Sequence, residues 1–353
     1  MAASALIIAA GSSAFAGGLD RSGQGIGALF ESGDYAELSY GYVMPSVSGE
    51  NVAIGGSGNM AQNYSSLGFA VKTDLSDKLS AALIFDKAFG AAIDYTNADP
   101  TYAVGVPPVT AELSGEAMTA LLRYKFSDRM SVHGGARIVT MSGNIDLTGA
   151  AGPELNYAAS SDVGYVIGAA YEIPDIALRA AITYSSATTH NNEKSLAATG
   201  TVVGATGDYT MPQSVNLDFQ TGIAANTLLL ASVRWADWTE TSIDTGTPLG
   251  LGVIDYDNDS YSYSLGIGRK FSDTFSGVAR ISYEAAQGGL ASNLSPTDGS
   301  VGLTLAGVYT MDNMKVTAGV SYVKLGDATT EGTFTDFSGN SALGFGVKIG
   351  YSF

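Results

Sequence analysis

Leu343-Gly344-Phe345-Gly346-Val347-Lys348-Ile349-Gly350-Tyr351-Ser352-Phe353 alternates a large apolar residue with glycine, lysine or serine at every step. A period of two puts Leu343, Phe345, Val347, Ile349, Tyr351 and Phe353 on one face of an extended strand and the small or polar residues on the other. Such a strand needs a core or lipid to cover its wide apolar face. The same alternation recurs throughout the chain. Tyr35 to Val43 sets Ala36, Leu38, Tyr40 and Tyr42 against Glu37, Ser39 and Gly41, and Ser66 to Lys72 groups Leu67, Phe69 and Val71. Further segments lie near Leu79 to Phe85, Ala117 to Phe126, Met130 to Met141, Asp162 to Ile173, Ala177 to Ser185, Val215 to Ile223 and Leu228 to Trp238. Ser260 to Phe271, Phe275 to Glu284, Ser300 to Tyr309, Lys315 to Val323 and Ala342 to Phe353 bring the count to fourteen.

The connections test this reading independently. Short links at Thr73–Lys78, Ser127–Arg129, Pro174–Ile176, Ala224–Thr227, Ser272–Thr274 and Thr310–Met314 alternate with seven longer, polar, Gly-rich connections. Six turns and seven loops between fourteen strands, with both termini on the turn side, is the rhythm of a bacterial transmembrane barrel. All 9 prolines fall outside the proposed strand interiors, where they would remove a ladder donor. After Ala16 no run of about 18 apolar residues occurs, so a membrane-spanning form has to be a closed barrel, whose backbone groups are satisfied without an open edge. The sequence therefore predicts an all-β, transmembrane antiparallel barrel over residues 35–353.

Composition agrees: 45% of residues are hydrophobic, only 14% are charged, and there are 45 glycines and 19 tyrosines. Cysteine is absent, so disulfides and thiolate metal sites are excluded and the ladder has to supply the stability. A net charge of -17 opposes any nucleic-acid partner. Ala2 to Ala16 is an apolar, small-residue run ending Ala14-Phe15-Ala16, which fits a secretory signal over residues 1–16, although no Lys or Arg precedes Arg21. A disordered or buried N-terminal helix is the alternative. Residues 17–34 follow as a glycine-rich segment carrying Leu19, Arg21, Ile26, Leu29 and Phe30, expected to fold back into the lumen as a short plug with a gating role.

Met211-Pro212-Gln213-Ser214-Val215, leading through Leu228-Leu229-Leu230 to Val233-Arg234-Trp235-Ala236-Asp237-Trp238, resembles the FadL/TodX family of outer-membrane transporters for long-chain fatty acids and aromatic hydrocarbons. Ser295-Pro296-Thr297-Asp298, Gly307-Val308-Tyr309, Gly319-Val320-Ser321-Tyr322 and the last strand extend the likeness. The family's Asn-Pro-Ala hatch motif has no counterpart, since no Asn-Pro pair occurs. The resemblance implies fourteen strands, a Gram-negative outer membrane and passive uptake of hydrophobic molecules. Implied partners are a small hydrophobic ligand, outer-membrane lipids and lipopolysaccharide, and the barrel-assembly machinery, for which Tyr351 and Phe353 resemble the C-terminal assembly signal. A monomer without cofactor or metal is expected. The alternatives are a structural or adhesive surface barrel and a lipid-acting barrel enzyme.

Strand parity sends Arg123, Arg137, Arg179, Arg234, Arg280 and Lys348 inward, where they either grip a ligand carboxylate or pair with Glu37, Glu172, Asp218 and Glu284. Leu121, Val139, Met141, Val166, Leu228, Leu230 and Val278 also face inward and either line a hydrophobic conduit or pack against the plug. Both readings exclude a wide aqueous pore. His133 and His190 lack a recognisable triad context, and Asp255 to Asp259 reads as a solvated acidic loop rather than an EF-hand. Trp235 and Tyr263 are candidates for the aromatic girdles at the bilayer interfaces.

Overall fold

The computed structural model describes residues 19–104, 106–245, 253–331 and 333–353. The expected signal over 1–16 lies outside them. Fourteen antiparallel strands close into a barrel. They are β1 Tyr35–Ser46, β2 Tyr64–Asp74, β3 Leu79–Asp94, β4 Thr110–Lys125, β5 Met130–Asp146, β6 Glu154–Ile173 and β7 Leu178–Ser185. The second half comprises β8 Ser214–Ala224, β9 Thr227–Ala236, β10 Ser260–Lys270, β11 Phe275–Glu284, β12 Ser300–Met311, β13 Met314–Leu325 and β14 Ser341–Ser352. Every strand pairs with its sequence neighbours, and Tyr35 opposite Ser352 closes the ring between β1 and β14. Six short turns lie at one end with both ends of the barrel chain, as the alternation requires. Two of them use Asn226 and Asp312 at positive φ, a region these short polar residues tolerate.

Parity decides what the strands bury. Leu122, Ile138, Tyr309 and Val347 face outward and are exposed, while Leu121, Val139, Val308 and Lys348 on adjacent positions are buried inside. An exposed apolar surface that wraps the whole wall is incompatible with water and fits lipid. Phe271 stacks on Phe275 and Tyr351 on Phe353 at the turn end, and Tyr263 stacks on Tyr283 nearer the loops.

Two junctions depart from a complete ladder. Between β2 and β3, pairing runs from Asp74 opposite Ser80 to Phe69 opposite Phe85 and stops, although both strands continue. Ala88 is a bulge in β3, placing Phe89 inside the lumen. Between β6 and β7, pairing ends at Val166 opposite Ser185, because β7 is short and the chain then leaves the wall. It returns as Glu193–Leu196, which pairs with the upper end of β6. The strand expected from Asp162 begins at Glu154, because this returning segment extends the ladder beyond the reach of local alternation.

The long loops fold over the mouth. Val47, Met60, Tyr95, Tyr102, Leu147 and Phe337 pack into a buried cluster, with the Tyr95 and Tyr102 rings stacked at 6.2 Å. Tyr95 Oη donates to the Asn293 carbonyl at 2.6 Å, tying two loops together.

Candidate functional site

Residues 19–34 lie against the inside of the wall. Arg21 N donates to the Ala88 carbonyl at 2.9 Å, and Gly90 N donates to the Leu19 carbonyl at 2.8 Å, so the segment occupies the β3 edge that β2 leaves unpaired. Gln62 N and Asp94 N make the equivalent bonds to Ala92 and Met60 carbonyls slightly farther up. The segment then turns through a short 3-10 helix, Gly27–Phe30, where Ile26, Ala28 and Leu29 pack on Ala70, Ala82, Ile84, Leu121 and Val166. Burying Ile26 and Leu29 contributes roughly 1.5–3 kcal/mol each before ordering entropy is subtracted.

Polar contacts fix the rest. Asp20 accepts from Arg234 Nε at 2.5 Å, and Asn216 Nδ2 donates to the Gly23 carbonyl at 2.9 Å. Ser22 donates to Asp86, and Arg137 donates to Gln24. Two guanidinium groups, Arg123 and Arg179, lie over the Phe30 ring, each 4.6 Å from its centroid, with His133 edge-on at 5.8 Å. Arg21 stacks 3.7 Å above the Tyr64 ring. Two ion pairs join segment to wall: Asp20 with Arg234, and Glu31 with Lys315 at 3.4 Å.

Three cavities adjoin one another in the lumen, two of them lined by this segment. An apolar pocket of about 50 Å³ beneath the loops is lined by Ala91, Ile93, Leu113, Tyr209, Ile243, Ile254 and neighbours, with no Lys or Arg among them. A cavity of about 80 Å³ behind the β2–β3 gap shares Ala91, Ile93 and Leu294 with it. The third, about 260 Å³, shares Asp20 and Arg21 with the second and opens along β8–β12 past Ser232, Ser262, Ser264, Ser282 and Thr304. The segment thus stands between the apolar route and the polar cavity. The mouth is acidic: Asp or Glu occurs in every loop except 147–153, whereas Lys194 is the only Lys or Arg in all seven.

The inward residues singled out from the sequence are distributed among these features. Val139 and Met141 pack with Leu19, Phe89 and Trp238. Leu121 and Val166 lie under the segment, while Leu228, Leu230 and Val278 pack with Val308 on the opposite wall. Arg123 pairs with Glu172 and Lys348 with Glu37, the latter at 3.2 Å. Arg123, Arg137, Arg179 and Arg234 all touch the segment, and Arg179, Arg234 and Arg280 border the polar cavity. None of these residues lines the apolar pocket. Its walls come from upper strand ends and from Asn192, Thr206, Tyr209, Ile243 and Ile254 in loops, where no periodic signal marks which side chain will turn inward.

His133 Nε2 contacts Thr183 Oγ1 at 3.0 Å, and His190 contacts the Ser160 carbonyl and Thr188 Oγ1, so each histidine has structural partners. Among the described residues no group of three His, Cys, Asp or Glu could hold a metal ion. The stretch Asp255 to Asp259 is anchored to the cap: Tyr256 packs on Trp238 with centroids 5.1 Å apart, and Asp259 accepts from Trp235 Nε1 at 2.8 Å.

No family model and no curated protein matches the sequence. Solved structures do. A Pseudomonas aeruginosa FadL homologue aligns with a TM-score of 0.71 at 15% identity, covering 92% of each chain. The Pseudomonas putida toluene transporter TodX aligns at 0.65 and 14% identity over 91% of this chain and 90% of that one. The Ralstonia pickettii toluene transporter TbuX aligns at 0.61 and 13% identity over 92% and 91%. The chain has the FadL/TodX barrel fold over almost its entire length.

Proposed function

We propose that this protein is an outer-membrane channel of a Gram-negative bacterium for passive uptake of small, uncharged hydrophobic molecules. The observation that carries the reading is the apolar pocket beneath the loops, which shares wall residues with a cavity behind an interrupted wall junction, where a segment lies in the lumen. A ligand leaving water for such a pocket gains the free energy of apolar burial. The acidic mouth and a pocket lined by Glu112 and by no Lys or Arg disfavour a carboxylate, the nearby Lys194 ammonium being bonded to the Thr245 carbonyl at 3.3 Å, so aromatic or other neutral compounds fit better than fatty-acid anions. An apolar cavity of about 150 Å³ holds benzene. The pocket has to widen by side-chain movement to admit one ring. Release proceeds through the β2–β3 gap or past residues 19–30, a plug held by separate polar and apolar contacts, the apolar ones open to competition from a ligand. The TodX and TbuX structures are of toluene transporters, which agrees with this substrate class.

The test is uptake by Gram-negative cells stripped of their own hydrophobic channels. Cells producing this chain should take up naphthalene faster than cells without it and gain nothing for decanoate. Ile243→Asp should abolish the gain while the barrel still folds. A gain for decanoate alone would reassign the substrate to carboxylates, and no gain for either would favour a structural or adhesive surface barrel.

A further inference from the structure

The junction between β6 and β7 differs chemically from the rest of the wall. Over Ala158 to Tyr165 the bonds to the neighbouring chain are made largely by side chains. Tyr165 N donates to Ser186 Oγ at 2.9 Å, Thr189 N to Asp162 Oδ2 at 2.7 Å, and Asn191 N to Ser160 Oγ at 3.0 Å. Asn192 closes the row: its Nδ2 donates to the Ala158 carbonyl at 2.6 Å and across β6 to the Met141 carbonyl at 2.8 Å. Its Oδ1 accepts from Tyr209 Oη at 2.5 Å. Asn192 and Tyr209 also line the apolar pocket, so this seam is one wall of that pocket. On the outside, Thr140 and Ser161 hydroxyls pair at 2.8 Å at this level, immediately above exposed Val163 and Tyr165. The seam therefore lies where lipid-facing residues give way to polar ones.

Opening a regular junction would strip a run of backbone donors and acceptors, which lipid cannot replace. Opening this seam frees one backbone group per bond, such as Tyr165 N, Thr189 N, Asn191 N and the Ala158 carbonyl, with a hydroxyl, carboxylate or carboxamide in place of the second, and one backbone pair, Ser186 N to the Tyr165 carbonyl; all lie at headgroup level, where water and polar headgroups can take over the hydrogen bonds. We propose that the β6–β7 seam is a second lateral portal into the apolar pocket, latched by Asn192, through which small uncharged hydrophobic molecules pass between the pocket and the outer leaflet. It rests on the channel reading above, but uses a different junction from the β2–β3 gap.

Because the chain has no cysteine, a disulfide staple can be introduced cleanly. Ser160→Cys with Asn191→Cys joins the two sides of the seam. Val301→Cys with Lys324→Cys, opposite each other in the continuous β12–β13 ladder, is the control staple. In cells, oxidised seam-stapled protein should take up naphthalene severalfold more slowly than the same protein after external reductant. The control staple should be indifferent to reductant, and Asn192→Ala should raise uptake. A readout independent of transport uses Trp235→Phe in detergent, leaving Trp238, which packs with the pocket residues Tyr209, Ile243 and Ile254. Naphthalene should alter Trp238 emission more slowly when the seam is stapled. Equal uptake by oxidised and reduced protein, with the unmodified chain still exceeding empty cells, would overturn the portal and leave the channel standing. If the unmodified chain gives no uptake, the channel reading falls. A Trp238 response indifferent to the staple would then overturn the portal as well, whereas a slowed response would uphold it.

Discussion

The two sides of the lumen are built by one alternation and are put to different uses: one is covered by the segment, the other borders open space. From β2 to β6 the inner wall presents Ala70, Ala82, Ile84, Leu121, Val139 and Val166, and the segment lays Ile26 and Leu29 on it. From β8 to β12 the corresponding wall presents Asn216, Asp218, Ser232, Ser264, Arg280 and Ser282 to the polar cavity, turning apolar only around Leu230 and Val278. An inward position is therefore not equivalent to a ligand position. What matters is whether another part of the chain covers it, and with which chemistry.

The strongest challenge to this contrast is to remove the cover. Deleting Leu19–Phe30 should join the cavity behind the β2–β3 gap to the polar cavity and raise leakage of small polar solutes severalfold, with the barrel still assembled. Unchanged permeability in a folded deletion variant would show that the segment separates nothing.

A second measurement compares the two walls by stability. Leu121→Ala opens a void beneath the segment and should cost about 2–5 kcal/mol in urea unfolding from detergent. Ser264→Ala removes one side of the 2.7 Å Ser232–Ser264 hydroxyl pair beside open space and should cost about 1 kcal/mol or less. Equal costs would erase the distinction between a packed and a solvated wall.

The segment's hold on the polar wall is smaller again. Arg234→Ala leaves the Asp20 carboxylate without its guanidinium and should loosen the segment by about 1–3 kcal/mol, read as faster amide exchange over residues 19–30. Asp20→Asn, which keeps a hydrogen-bond acceptor, should loosen it less. If both variants exchange like the parent, the Asp20–Arg234 pair does not hold the segment.

The smallest effect is at the segment's far end, outside the membrane span. Asp34 accepts from Asp74 N and from Thr73 Oγ1, and these bonds hold its carboxyl below the ordinary aspartate value of 3.8. A carboxyl lowered in the folded state adds stability above its unfolded value and loses it as pH falls through the folded one. Asp34→Asn should therefore flatten the acid limb of the unfolding midpoint below about pH 4 and change little at neutral pH. An unaltered acid limb would mean that this anchor contributes nothing.

Alternation by itself determined the strand count, the short-turn and long-loop rhythm, and the face of nearly every barrel residue, because a strand's side-chain direction depends only on its own period and the ring has only two faces. It placed Arg123 and Arg179 inward as readily as Leu121. That the two arginines lie over Phe30 was a matter for tertiary structure, since residues 19–30 meet wall positions such as Asp86 and Arg234, 64 and 214 residues from their partners, and carry no periodic signal of where they land. The apolar pocket and the side-chain seam arose in the same way. Both depend on where β7 stops and what the loop after it brings back to β6, and strand periodicity falls silent where the ladder ends.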